Sequence, residues 1–285
     1  ANYVFAMTLA SSLGVCTAYL AFIGSTMSLL ASQEGTWVHG LFPGAPADAF
    51  QLASIAVIAP VTWLRSFRFL SVTSTVGVVA VLLALATTVA EEFRLAGGLE
   101  GVFTAIQGLP LWPESVEAYS SSFGAVIFLA CVNFLIFPVE RSMARRENFG
   151  PTLDVTLAGL SAMNAAFAVA GFAVFGSETS DIVTNNLGSA SGLTAIKTLV
   201  CVDLLLTYPL VFAAGREISE RLLLSKIRAP DGASSAPKPL PDEEGPGFAG
   251  LEQAALRSAL VGVTYWIAHS SKFGLITNVV GGVAQ

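Results

Sequence analysis

The chain has 285 residues, of which 54% are hydrophobic and only 12% charged, with a formal net charge of −6. Soluble domains carry about 25% charged residues, so a chain with a mean hydropathy of +0.69 lacks the charge to cover a water-facing surface. That excludes a soluble enzyme or a nucleic-acid-binding module, and the net acidity describes loops.

The apolar runs are long and continuous, as in FGAVIFLACVNFLIFPV over residues 123–139. A helix crossing a bilayer needs about 20 apolar residues, whereas a barrel strand shows about ten alternating ones. The sequence therefore predicts an all-α polytopic membrane protein with about seven to eight spans. In chain order these are roughly 3–30, 50–64, 69–90, 123–139, 153–175 and 193–215, followed within 251–285 by a further span at 256–270 and a truncated stub at 273–284. The second and seventh spans are short, and the seventh and the stub can also be read as one kinked helix. Residues 228–250, RAPDGASSAPKPLPDEEGPGFAG, have the Pro, Gly, Ser and acid content of a flexible cytosolic linker. The chain opens on Ala1, with no basic region or cleavage signal around its first apolar run. It is therefore expected to start partway into a longer protein rather than at a signal peptide.

Basic residues collect in cytoplasmic loops. If the first span runs from inside to outside, eleven of the 14 basic residues fall inside: Arg65, Arg68, Arg141, Arg145, Arg146, Arg216, Arg221, Lys226, Arg228, Lys238 and Arg257. Arg94, Lys197 and Lys272 fall outside. On this orientation Pro138 ends the fourth span at the cytoplasmic face, where the cluster of Arg141, Arg145 and Arg146 holds it.

Few polar groups interrupt the apolar runs. Asp203 lies well inside LVCVDLLLTYPLVF. A carboxylate in a membrane helix is costly and marks an ion or substrate path, unless it reaches water at the outer interface or pairs with Lys197. Thr207 follows at i+4 on the same helix face, and Pro209 then frees a backbone carbonyl. The three can line an ion site, or the hydroxyl can simply patch an ordinary proline kink. Asn133 is the strongly polar side chain in the middle of the fourth span. It reads first as a hydrogen-bonding partner for a neighbouring helix and, more weakly, as a substrate contact. Cys16, Cys131 and Cys201 all lie in apolar runs and form no disulfide framework or metal spacing. His39 and His269 have no ligand partner at metal-binding spacing. The small residues Gly14, Cys16, Thr17, Gly24 and Ser25 of the first span suit close helix packing. No catalytic constellation and no cofactor motif is present in the sequence.

Five stretches resemble the amino acid/auxin permease family (amino acid transporter transmembrane domain) in order and register. They are LGVCTAYLAFIGSTM (13–27), PVTWLRSFRFLSVTS (60–74), FGAVIFLACVNFLIFPVERSM (123–143), FAVFGSETSDIVTNNL (172–187) and LLLTYPLVFAAGREI (204–218). The resemblance implies proton- or sodium-coupled transport of an amino acid substrate in the plasma membrane or the vacuole/lysosome. It also implies a partial bacterial leucine-transporter-like helical bundle, in which broken helices of two inverted repeats hold the substrate at the midplane. By register the sequence starts at the family's third span and stops in its tenth, without the first broken helix. The family's acid–glycine pair, seven residues before the proline of the other broken helix, is replaced here by Cys131 and Val132, and valine lacks glycine's backbone freedom. Thr207 falls in the matched T-Y-P block, on the helix that helps form an ion site in that fold. The alternative reading is a non-transporting permease-like subunit with a structural role beside other membrane subunits.

Overall fold

The structure is a computed structural model that describes residues 2–64, 70–109, 112, 115–129, 136, 139–140, 143–188, 191–228 and 250–283. Ten α-helices are described: α1 (Asn2–Ser32), α2 (Trp37–Leu41), α3 (Ala47–Thr62), α4 (Leu70–Leu95), α5 (Leu99–Gln107), α6 (Val116–Phe128), α7 (Phe149–Phe175), α8 (Ser191–Arg228), α9 (Leu251–Ser270) and α10 (Phe273–Val283). No β-strand occurs among the described residues. Cys131, Asn133, Pro138 and Arg141 lie outside the described residues, as does most of the 228–250 segment.

The helices begin and end where local chemistry directs. Thr36 caps α2, its hydroxyl accepting from His39 N at 3.1 Å. α4 stops at Leu95 because Gly97 and Gly98 adopt φ of 82° and 100°, and Gly98 N turns back to Phe93 O at 2.8 Å. α8 continues through Pro209.

α1 is the hub. It lies along α8 and also packs on α3, α9 and α10. Its Cys16 and Leu20 are fully buried with Tyr208 and Phe212 of α8, among Ile58, Val261 and Ile276. The Tyr208 and Phe212 rings stack one helical turn apart, with centroids 5.9 Å from each other. α8 also carries α4, α7 packs on α4 and α5, and α6 pairs with α10.

The bundle has two distinct ends. At one, His269 Nδ1 meets Asp48 Oδ1 at 3.0 Å, Gly274 N donates to Asp181 Oδ2 at 3.2 Å, and Asn185 reaches Ser25 at 3.5 Å. At the other, Arg257 meets Glu220 at 2.7 Å and Trp63 Nε1 donates to Ser258 Oγ at 3.1 Å. α1, α4, α7 and α9 therefore run toward the first end, and α3 and α8 run away from it.

Ala6–Ser32, Arg146–Glu178 and Gly192–Glu220 are long and apolar enough to cross a membrane. Much apolar surface faces outward on α4 and α7; Val78 is 58% exposed and Val155 74%. Such a surface is at home in hydrocarbon, where helices satisfy their own backbone groups. The chain is an all-α polytopic membrane protein.

Candidate functional site

Asp203 and Thr207 stand one turn apart on α8, and the Thr207 hydroxyl donates to Asp203 Oδ1 at 3.4 Å. Facing them is Gly77 of α4. The Asp203 carboxylate occupies the space that a Cβ at position 77 would fill. The absence of a side chain there is what lets a charged group enter the α4–α8 seam. Tyr19 of α1 is an electrostatic neighbour of this carboxylate and of Cys16, so the group sits where α1, α4 and α8 converge. Lys197, the candidate partner of Asp203 by sequence, directs its ammonium to Leu187 O at 3.0 Å and Gly188 O at 3.4 Å.

Two residues on, Pro209 has no N–H, which leaves the carbonyl of Leu205 without its usual helical donor. Just beyond the proline, α1 and α9 engage the α8 backbone and side chains. Ser12 Oγ donates to Val211 O at 2.7 Å and accepts from Gly215 N at 3.1 Å. One hydroxyl thus spans the two ends of an i to i+4 step of α8, the kind of insertion that bends helices. Cys16 Sγ contacts Tyr208 O at 3.9 Å. Thr264 of α9 gives its proton to Val261 O at 2.8 Å, so it accepts from the Tyr208 phenol at 2.7 Å. All these side chains are buried. The result is a polar seam through an apolar core, and buried polar networks of this kind specify one arrangement of helices.

Ser12 and Thr264 carry no sequence signal, because a lone hydroxyl in an apolar run is commonplace. Arg257, an inner-loop cation by charge pattern, lies instead within α9, fully buried against Glu220. His269, without a partner by spacing, meets Asp48 in space. His39 Nδ1 lies 2.7 Å from Ala31 O. Among the described residues no cluster of His, Cys, Asp and Glu is arranged to hold a metal. Asn133, the weak substrate candidate, lies outside the described residues.

The family model "transmembrane amino acid transporter protein" matches residues 2–285. Amino acid transporter AVT3C of Arabidopsis thaliana is 26% identical over 223 residues, covering 74% of this chain and 49% of that protein. Amino acid transporter ANT1 of the same plant is 27% identical over 217 residues, covering 74% and 46%. The vesicular inhibitory amino acid transporter of Rattus norvegicus is 22% identical over 204 residues, covering 70% and 37%. The chain spans about half the length, or less, of these curated relatives. No solved structure matches it. The match along the whole chain, on an all-helical membrane bundle, makes this protein a member of the transmembrane amino acid transporter family.

Proposed function

We propose that this chain forms much of a secondary active transporter that moves amino acids with a proton or sodium ion, and that Asp203 and Thr207 belong to the coupling site. The observation that carries this reading is the seating of Asp203 against Gly77, with Thr207 one turn below it. A carboxylate placed between two membrane helices needs a compensating cation, a proton or water. The proline that follows loosens the same stretch of helix and supplies a free carbonyl. Family membership and the relatives' names support amino acids as the cargo, and neither supports the structural-subunit alternative. Asn133, on the fourth predicted span, is a secondary candidate for substrate contact in this proposal.

Within this proposal the helices follow the bacterial leucine-transporter arrangement of inverted repeats. The end holding Arg257 and Glu220 faces the cytosol, residues 228–250 form a cytosolic linker, and residues 251–285 contribute a further span and a partial one. The relatives named vacuolar, from Schizosaccharomyces pombe, and vesicular, from Rattus norvegicus, favour an internal membrane such as the vacuole or lysosome over the plasma membrane.

The test is Asp203→Asn in the complete protein, with uptake measured against external pH and against sodium at matched membrane abundance. The expected result is a flattened dependence on one of the two ions. A mutant curve parallel to wild type in both titrations would remove Asp203 from the coupling site.

A further inference from the structure

A second buried carboxylate lies far along α4 from Gly77. Glu92 is 1% exposed, and neither of its oxygens has a hydrogen-bond partner among the described residues. Its Oε1 stands 3.2 Å from the point where a Cβ on Gly171 of α7 would lie, and Val183 Cγ2 stands 3.4 Å from the same point. The Glu92 carboxyl of α4 and the 3-10 turn Val183–Asn186 therefore converge on the same point of α7. In that turn the Thr184 hydroxyl is likewise buried without a partner. Ile182, Val183 and Thr184 line a crevice with Thr88 and Phe167 beside it.

Among the described residues no charge compensates Glu92. On α4 itself, Glu91 is engaged by Arg94 at 2.7 Å on the exposed side. α5 brings only Glu100, which is exposed, and α7 has no titratable residue beyond Asp154. The segment after α7 brings the exposed Glu178, and Asp181, which accepts from Gly274 N at 3.2 Å. α8 brings Lys197, whose ammonium is directed at the Leu187 and Gly188 carbonyls. An unpaired anion in such a place costs several kcal/mol, while a neutral carboxylic acid costs far less. A metal cation would need several oxygen ligands, and among the described residues no group of His, Cys, Asp and Glu is arranged to supply them. A proton needs no ligand shell.

We propose that Glu92 is a proton-binding site, separate from Asp203 and Thr207, and that its proton holds the Val183–Asn186 turn closed over α4 and α7. Ionised, the carboxylate requires water, and water reaches it only when that turn lifts. Closure and proton binding are then linked.

The test places a reporter thiol in the turn, Thr184→Cys, in the complete protein solubilised in detergent. Its rate of reaction with a hydrophilic maleimide is measured against pH, over a parent lacking the reporter. The same series is run with Glu92→Gln added, which mimics the neutral acid. Thiol ionisation is common to both series and cancels in their ratio. That ratio, Glu92 over Glu92→Gln, is expected to rise with pH by up to about tenfold per unit, the ceiling for one linked proton. Gly171→Ala gives an independent arm if Glu92→Gln folds poorly. Its Cβ crowds the carboxyl and Val183, so labelling should rise and its pH profile move to lower pH. A ratio that stays flat across the titration overturns the proposal, as does an unmoved profile in Gly171→Ala. Labelling slowed by sodium at fixed pH but insensitive to pH also overturns it, because that would mark a metal cation site.

Discussion

Arg257 of α9 donates through Nε to Glu220 of α8 at 2.7 Å, with both side chains buried. The same guanidinium gives Nη1 to Thr62 O at 2.9 Å and to Leu64 O at 3.4 Å. One arginine thus joins α8, α9 and the C-terminal end of α3, whose last carbonyls have no helical donors. Arg216 adds a bond to Leu64 O at 3.4 Å. Removing Arg257 takes the ion-pair partner away from the buried Glu220 carboxylate. Arg257→Met should therefore destabilise the fold by about 3 kcal/mol or more. The double variant Arg257→Met, Glu220→Leu should lose markedly less, since no charge is stranded. Thermal unfolding of the purified protein in detergent reads both, and equal losses would show that the ion pair is not what holds this end together.

The contact between α1 and α8 at Ser12 and Gly215 is equally specific. A Cβ on Gly215 would lie 2.8 Å from Ser12 Oγ and 3.3 Å from Leu9 Cδ1. Gly215→Ala should therefore force the helices apart, at a cost of about 1–3 kcal/mol. Ser12→Ala keeps the packing volume and removes only the bridging hydroxyl, so it should cost about 1 kcal/mol. Thermal unfolding again measures both, and the prediction is that the alanine at 215 is the worse of the two.

Gly77→Ala tests the seat of Asp203 without touching the carboxylate. The added methyl would occupy the space of Oδ1, so the carboxylate must leave the α4–α8 seam. Uptake by the complete protein should then lose its pH or sodium dependence as Asp203→Asn does. Thr207→Val should give a weaker change in the same direction, because it removes a neutral ligand and strands no charge. Ion titrations of uptake at matched abundance give the order of the three variants.

Topology can be read by labelling. With the Arg257–Glu220 end in the cytosol, Ser142→Cys and Ser235→Cys, both outside the described residues, should react from the cytoplasmic side. His39→Cys, within α2, should react from the opposite side. Reaction of the first two from different sides would break the predicted order of spans.

Much of this molecule was legible in local pattern. Long apolar runs and scarce charge determine helices in a bilayer, because no other local structure satisfies the backbone there. The pairing of Asp203 with Thr207 follows from helical spacing alone, and the structure has the two 3.4 Å apart. The short helix α5 and the early start of α6 at Val116 were not among the predicted spans, since neither stretch is apolar enough throughout to register as one.

What the tertiary structure decided lies between residues far apart in the chain. Gly77 has no side chain and so no local signature, yet it determines where Asp203 can sit. Ser12 is one hydroxyl among several on α1, and it matters because α8 presents Val211 and Gly215 to it. Arg257 and Glu92 carry charges that composition assigns to water. Arg257 is instead buried against a partner 37 residues away, and Glu92 against Gly171 of another helix. A pattern of local hydropathy reports how a segment partitions between lipid and water. Which face then meets which partner is set by long-range packing, and that packing alone separates a compensated charge from a stranded one.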